Sequence, residues 1–212
     1  MKLITETYLE QKESWPITGR HILAQSDDNS IIVYQAYSSS IGLFAAKNQF
    51  FGGDFNLNRM SWIKPNFLWM MYRSGWGTKV GQEVTLAVRI KREAFDYILS
   101  EAVHSTFVPE IYGNNATWQE QIAKSSVRLQ WDPDHDPSGT KLERRAVQLG
   151  LRGETLAQYA KGWIIEIEDI SNFVQEQRIE TKSLHYSKLI TPAEKVYSVP
   201  NTAIARNLGL SK

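Results

Sequence analysis

Residues 59–77 read RMSWIKPNFLWMMYRSGWG and include three tryptophans, two arginines and one lysine. Pro65 interrupts this stretch, because proline cannot continue a helix and the residue before it also avoids the helical region. The first half is therefore predicted to be extended and the second half to be a short helix. Tryptophans beside cationic and hydroxyl groups are typical of a pocket that stacks a planar ligand and holds its anionic part. A short buried helix in a tryptophan-rich core explains the same residues.

The side chains of this stretch are predicted to divide between core and ligand. The apolar residues expected to pack into the core are Phe67, Leu68, Met70 and Met71. The residues left to face a ligand are Ser61, Trp62, Lys64 and Arg73. The stretch is therefore interpreted as one wall of a binding cleft, whose partner comes from elsewhere in the chain.

The composition excludes several classes of protein. A chain of 212 residues that is 42% hydrophobic and 22% charged is ordinary for one globular domain. Without cysteine it has no disulfide, no thiolate nucleophile and no cysteine-ligated zinc. A net charge of +1 argues against a surface that coats nucleic acid, although it allows a local basic patch. With no signal peptide and no apolar run near the ~18 residues of a membrane span, we expect a cytoplasmic protein that binds no membrane.

Strand patterns outnumber helix patterns in the rest of the chain. Residues 84–90 alternate strictly between apolar and polar or small side chains, which predicts a half-buried strand. Two β-rich runs, at residues 20–25 and 31–37, flank a polar cluster and are predicted to form a hairpin. Helix patterns are interspersed irregularly and do not alternate with the strands. The predicted fold class is therefore α+β, with a twisted or split, antiparallel-rich sheet and flanking helices.

The chain is predicted to form one catalytic-like α+β domain over residues 1–180. Residues 181–212 contain prolines and scattered apolar residues, which is typical of an arm wrapped on the domain or partly mobile. No glycine-rich dinucleotide fingerprint and no phosphate-binding lysine loop is present, so Rossmann and P-loop chemistry have no support.

Residues 132–139 read DPDHDPSG and are predicted to form a loop. Asp132, Asp134 and Asp136 surround His135, and their oxygens could hold a hard cation. The same residues are equally explained as turn residues that bond their own backbone. The loop lacks the glycine and glutamate spacing of an EF-hand, so the leading interpretation assigns no metal ligand.

Glu143 stands at the entry to a predicted strand, beside Arg144 and Arg145. A carboxylate in that position can hydrogen-bond a sugar hydroxyl or stabilise an oxocarbenium-like centre. It can equally pair with the neighbouring arginines at the surface, where an ion pair contributes little. His21, on a predicted strand, is similarly open between a site role and an ordinary core or surface position.

Five stretches of the chain resemble the domain-of-unknown-function 4291 family (DUF-4291), which names no activity. They cover most of the chain and are GRHILAQ at 19–25, VYQAY at 33–37, RMSWIKPNFLWMMYRSGW at 59–76, LQWDPDHDP at 129–137 and VQLGLR at 147–152.

The order of elements is similar to that of ADP-ribosyltransferases, which split NAD and pass ADP-ribose to an acceptor. The matching elements are the strand at 33–37, a helix ending at Gly52 and Gly53, the strand at 60–62 with its helix, and the strand at 142–147. This resemblance implies that Ser61 and Trp62 frame a nicotinamide pocket, with Tyr37 or Tyr72 stacked on a ring.

The resemblance further implies that Glu143 holds a ribose hydroxyl and stabilises the positive charge as nicotinamide leaves. Arg20, Lys64 and Arg73 are the candidates to face the pyrophosphate. The chain departs from the pattern at the first motif, where those enzymes carry histidine or arginine and this chain has Gln35. Either His21 or Arg20 takes that place, or the NAD site is altered or absent.

The function predicted first is an ADP-ribosyltransferase-like enzyme that uses NAD as substrate and modifies a protein, a nucleic acid or a small molecule. The alternative is a module without catalysis that binds a nucleotide or single-stranded nucleic acid through stacking and cationic contacts. A third reading is a metal-assisted hydrolase built on residues 132–136.

Overall fold

The computed structural model describes residues 3–211; for Leu184 it describes the backbone alone. The strands are β1 (Thr5–Thr7), β2 (Gly19–Arg20), β3 (Leu23–Ala24), β4 (Ser30–Tyr37), β5 (Ser61–Ile63), β6 (Val84–Lys91), β7 (Ala102–His104), β8 (Val127–His135), β9 (Lys141–Leu151), β10 (Ile164–Asp169), β11 (Ile190–Pro192) and β12 (Lys195–Val196). The helices are α1 (Tyr8–Ser14), α2 (Ser39–Asn48), α3 (Phe67–Ser74), α4 (Arg92–Ser100), α5 (Pro109–Tyr112), α6 (Asn115–Lys124), α7 (Gly153–Lys161), α8 (Ser171–Glu180) and α9 (Thr202–Leu208), with a 3₁₀ turn at Leu184–Tyr186.

Two sheets carry the fold. One has three antiparallel strands in the order β10-β6-β4. The other has five strands in the order β2-β9-β8-β7, with β5 also paired to β9. Its β2–β9 and β7–β8 pairs are parallel and its other pairs are antiparallel. The predicted α+β class is confirmed; the three-stranded sheet is antiparallel and the five-stranded sheet is mixed. Among residues 3–211, no helix is both long and apolar enough to cross a bilayer.

A backbone bridge joins the two sheets at their edges. The amide of Tyr34 in β4 donates to the carbonyl of Lys64 at 2.7 Å, and the amide of Lys64 donates to the carbonyl of Tyr34 at 3.2 Å. Lys64 follows β5 directly, so this bridge fixes the end of β5 beside the middle of β4. The junction lies at the base of the candidate site.

Both faces of the three-stranded sheet are covered. Leu86, Val88 and Ile90 of β6 pack in a cluster with the inward-facing residues of β8 and β9. Ala87, between them, packs on the other face against α3 in a second cluster. The predicted strand at 84–90 is confirmed, but its prediction as half-buried is wrong, because α3 and α8 shield the face that the pattern assigned to solvent.

The predicted hairpin between residues 20–25 and 31–37 is only partly formed. An isolated bridge joins Ser26 to Ile31. However, β3 takes β12 as its ladder partner and β4 takes β6. β12, near the end of the chain, therefore pairs with β3 in the position where the sequence predicted β4.

The stretch at 59–77 folds as predicted, into the extended β5 and then α3. The four residues predicted for the core are buried, and Trp69 is buried with them. Asn66 caps α3 by accepting a hydrogen bond from the amide of Trp69 at 2.7 Å.

A carboxylate from the C-terminal segment completes this cap. The Oε1 atom of Glu194 accepts from the amide of Phe67 at 2.7 Å, and its Oε2 accepts from the side-chain amide of Asn66 at 2.9 Å. Burial raises the pKa of the Glu194 carboxyl well above its usual value. Tyr197 and Leu208, further along the same segment, are buried in the core. The segment after residue 189 therefore packs on the domain and holds the start of α3.

We expect Asn66→Ala to lower the free energy of unfolding by about 2–3 kcal/mol, because it removes a helix cap and leaves a buried Glu194 oxygen without its donor. Asn114→Ala is the matched control. Asn114 caps α6 through the amide of Thr117 at 2.9 Å but is exposed, so its loss should cost about 1 kcal/mol. Urea unfolding of both variants measures the difference, and equal losses would contradict the role given to Glu194.

Candidate functional site

Two adjoining cavities meet at Lys64. The main cleft, of about 540 Å³, is bounded by β4, β5, α3 and residues 54–60. The side pocket, of about 340 Å³, lies between α3 and strands β8 and β9. Trp62, Lys64 and Arg73 line both cavities. The stretch at 59–77 therefore supplies the wall that the two cavities share.

The Trp62 ring lies on the backbone of β9 because the residue opposite it is a glycine. Trp62 pairs with Gly150, and a Cβ atom there would come within 3.0 Å of the indole ring and 2.6 Å of the Met60 sulfur. Any larger residue at 150 would push the indole outward. Trp62 is half-buried in this position, so part of its ring remains available to a ligand.

A buried polar network forms the floor of the main cleft. Gln35 Nε2 donates to the hydroxyl of Tyr37 at 2.7 Å and to that of Ser61 at 2.8 Å, and the two hydroxyls lie 2.6 Å apart. The Tyr159 hydroxyl donates to Gln35 Oε1 at 2.6 Å. Burial raises the pKa of both tyrosines, so they stay protonated. Since the Tyr37–Ser61 contact uses only one of their two hydroxyl hydrogens, the other is free to bond a ligand acceptor.

Lys64 is a buried cation without a matched anion. The residue is only 6% exposed. Within the part of the chain that the structure describes, its ammonium has no hydrogen bond and no salt bridge. Burial lowers its pKa to about 7, with a smaller effect in the same direction from Arg73 and an opposing one from Asp132. An unpaired buried ammonium is costly, so the position favours an anionic ligand that would neutralise it.

One carboxylate faces Lys64 across the side pocket. Asp132 Oδ1 accepts from Gln130 Nε2 at 2.9 Å, and its Oδ2 accepts from Gln148 Nε2 at 2.8 Å. Two neutral amides hold the carboxylate in place without removing its charge. Trp69 forms the adjacent wall of the pocket. The side pocket therefore combines a positioned negative charge, a neighbouring amine and flat aromatic surface.

A family model described as Domain of unknown function (DUF4291) matches residues 21–197. The chain belongs to the DUF4291 family. The matched residues include both walls of the cleft, the floor network and Glu194. No curated protein matches the chain. The DUF4291 description carries no activity, so the chemistry of the cleft must support any assignment.

In this DUF4291 chain, most residues selected from sequence line one cleft. The ones that do are Gln35, Tyr37, Ser61, Trp62, Lys64 and Arg73. Tyr72 lies just outside, where its ring stacks on His135 with centroids 3.5 Å apart. The sequence grouping of hydroxyl, aromatic and cationic residues is therefore also a grouping in space.

The structure does not bring Glu143 into this cleft. Glu143 is exposed and lines neither cavity. It lies five residues from Gln148, between Lys141 and Arg145, where the pairing of β9 with β8 shifts register. Five residues of strand span about 17 Å at most. The reason is the long β8–β9 hairpin, in which β5 pairs with residues 149–151, at the far end from Glu143.

Arg20 and His21 also lie away from the cleft. β2 pairs with residues 144–145 of β9, displaced along the same edge from β5. Arg20 lines a separate cavity of about 560 Å³ together with Glu110 and Arg206. His21 lies beside Gly19 and Ser211. Neither residue takes the place that the resemblance gives to histidine or arginine next to Gln35.

The three aspartates at 132–136 are each bonded within the protein. Asp134 forms a buried salt bridge with Arg144 at 2.6 Å, and Asp136 accepts from the backbone amides of Ser138 and Thr140. The predicted loop is shorter than expected, because β8 continues to His135. Across residues 3–211, no group of three histidine or acidic side chains is arranged to hold a metal.

Sequence reasoning missed the side-pocket residues Gln130, Asp132 and Gln148 as partners of the cleft. Their signal was the two-residue spacing of Gln130 and Asp132, which puts both on one face if β8 continues. The aspartates and prolines of residues 132–137 are typical of a turn, so the sequence predicts a loop there and not a strand.

We expect Lys64→Met to raise the free energy of unfolding by about 2 kcal/mol at pH 6, because it removes a buried charge. The lowered pKa of Lys64 means that the unfolded chain holds an extra proton between about pH 7 and 10, so wild-type stability recovers as pH rises through that window. The advantage of the variant should therefore shrink toward pH 10. Urea unfolding at several pH values tests this, with Lys47→Met, an exposed position on α2, as control. A pH-independent difference would contradict it.

Proposed function

We propose that this protein is an ADP-ribosyltransferase-like enzyme that binds NAD across the main cleft and the side pocket. The observation that carries the proposal is the unpaired, buried Lys64 ammonium beside Arg73 and the Trp62 ring. An anion and a flat ring are the two features that a nucleotide presents, and both have a counterpart here. The order of strands and helices that resembles ADP-ribosyltransferases supports NAD as the nucleotide.

The cations would hold the pyrophosphate. Lys64 lies at the base of the cleft, and the exposed Arg59 and Arg73 line its sides. Binding a phosphate would return a full positive charge to Lys64, so binding should take up a proton near pH 8. The free hydroxyl hydrogen of the Tyr37–Ser61 pair would bond a polar atom of the ligand, and Trp62 would stack on a ring.

Asp132 replaces Glu143 as the carboxylate assigned to the reaction. In the proposed step the bond between the ribose anomeric carbon and the nicotinamide nitrogen breaks, and its electron pair leaves with nicotinamide. A fixed carboxylate stabilises the positive charge that develops on the sugar. The acceptor then forms a bond to the anomeric carbon and loses a proton. Gln130 and Gln148, which donate to the two oxygens of Asp132, would hold the carboxylate in this orientation during the step.

NAD should raise the melting temperature of the wild-type protein by about 3 °C or more at saturating concentration. Asp132→Asn should retain most of that shift but release nicotinamide about 100-fold more slowly, since it loses a charge that matters mainly in the transition state. Lys64→Met should lose the shift. Glu143→Gln, at the exposed far end of β9, should leave both readouts unchanged. Thermal unfolding and nicotinamide release with cell extract as acceptor source are the measurements.

The outcomes separate the proposal from its alternative. A thermal shift with no nicotinamide release under any condition would favour the alternative, a module that binds a nucleotide without catalysis. Salt-sensitive binding of a single-stranded oligonucleotide, weakened in Trp62→Ala and Arg73→Ala, would identify nucleic acid as the ligand. Absence of both an NAD-dependent shift and nicotinamide release would overturn the proposal. Loss of release in Glu143→Gln but not in Asp132→Asn would overturn the assignment of the reaction to this cleft.

A further inference from the structure

We propose that Lys64 is a site of imine formation with phosphate-bearing aldehydes. Its amine lines both the main cleft and the side pocket and is bonded to no other described residue. Lys64 is buried at the base of this cavity. A buried lysine with no partner to occupy its lone pair or its hydrogens is the usual setting for carbonyl chemistry. The cavity sets this lysine apart from those on the surface.

The same cavity supplies the groups that would select the aldehyde. Arg73 on α3 and Arg59 in the loop before β5 line the main cleft and can hold a phosphate. Asp54 also lines that cleft, and Asp132 on β8 faces Lys64 in the side pocket. An aldehyde without an anionic group lacks the charge contacts and should enter poorly. The chemical class is therefore a small aldehyde with a phosphate, such as an open-chain ribose phosphate.

The reaction is balanced without an oxidant or a reductant. The neutral amine of Lys64 adds its lone pair to the carbonyl carbon and gives a carbinolamine. The carbinolamine hydroxyl takes up a proton and leaves as water, while the nitrogen gives up its second hydrogen, so one imine and one water form from one amine and one aldehyde. Asp132 lies near enough to influence the charge of Lys64 and is the group placed to accept and return that proton.

Imine formation goes beyond the proposed function, and the two are linked by one compound. ADP-ribose, which forms when water is the acceptor in NAD cleavage, is itself a phosphate-bearing aldehyde in its open form. The product would then be held covalently in the cleft that made it. Only this last consequence rests on the proposed function, because imine formation at Lys64 does not require NAD.

The test uses the full-length protein with pyridoxal 5′-phosphate, followed by borohydride reduction and peptide mapping by mass spectrometry. At pH 7.5 Lys64 should be labelled at least about tenfold faster than Lys47, because a larger fraction of its amine is neutral. Its labelling rate should level off near pH 8, whereas the rate for an ordinary lysine side chain rises toward pH 10. Pyridoxal, which lacks the phosphate, should label Lys47 as well as before but Lys64 far less. Ribose 5-phosphate with cyanoborohydride should add its own mass at Lys64.

Lys64→Arg keeps a positive charge in the cleft and cannot form the imine, so the label at this peptide should disappear while labelling of Lys47 persists. The wild-type pH profile and the comparison with pyridoxal decide the matter even if that variant does not fold. Labelling of Lys64 that is no faster than that of Lys47, or that does not depend on the phosphate, would overturn the proposal. The NAD thermal shift is recorded on the same samples. Labelling of Lys64 without an NAD thermal shift would support the imine site and contradict NAD binding. A thermal shift without labelling would contradict only the imine site.

Discussion

The backbone bridge between Tyr34 and Lys64 is the contact on which the candidate site depends. Two hydrogen bonds tie the edge of the three-stranded sheet to the chain leaving β5. They bring the Gln35–Tyr37 end of β4 next to Ser61, and they turn the Lys64 side chain into the angle between the sheets. Without this bridge, Gln35 and Tyr37 on β4 would be separated from Ser61 and Lys64. The cleft is thus a property of the junction and of neither sheet alone.

The site combines a stabilising and a destabilising part. In the floor network, Gln35 donates to both hydroxyls and accepts from Tyr159, which leaves one hydroxyl hydrogen for a ligand. Lys64, three residues after Ser61, has no such partner in the described residues. Local conflict of this kind is expected where binding, and not folding, has selected a residue. The surrounding core tolerates it because both faces of the three-stranded sheet are packed.

Local pattern was sufficient for the wall formed by residues 59–77. Pro65 set the boundary between β5 and α3, and the helical spacing of the apolar side chains separated core residues from Lys64 and Arg73. Pattern failed where pairing between distant segments decides the structure. Glu143 looked like a strand opening, but the sequence does not reveal that β9 extends to Leu151 and meets β5 only at that end.

The same limitation explains Asp132 and the incomplete hairpin. Turn-forming residues at 132–137 remain in a strand up to His135 because β9 pairs alongside them, and a ladder partner outweighs local preference. β3 leaves β4 because β12, about 170 residues later, offers it an antiparallel partner. Both features depend on pairing between strands that are distant in sequence, which rules based on neighbouring residues cannot predict.

The position of Glu194 near the end of the chain affects when the α3 wall of the cleft can be completed during synthesis. Its carboxylate closes the cap of α3 across a separation of 128 residues, as its bond to Asn66 records. During synthesis from the N-terminus, the strands and helix that bear Gln35, Ser61, Lys64 and Arg73 are complete long before Glu194 is made. The cap of α3 is complete only once the C-terminal segment has been made and has docked. A nascent chain therefore carries the residues of the cleft before it holds the carboxyl group that caps the α3 wall.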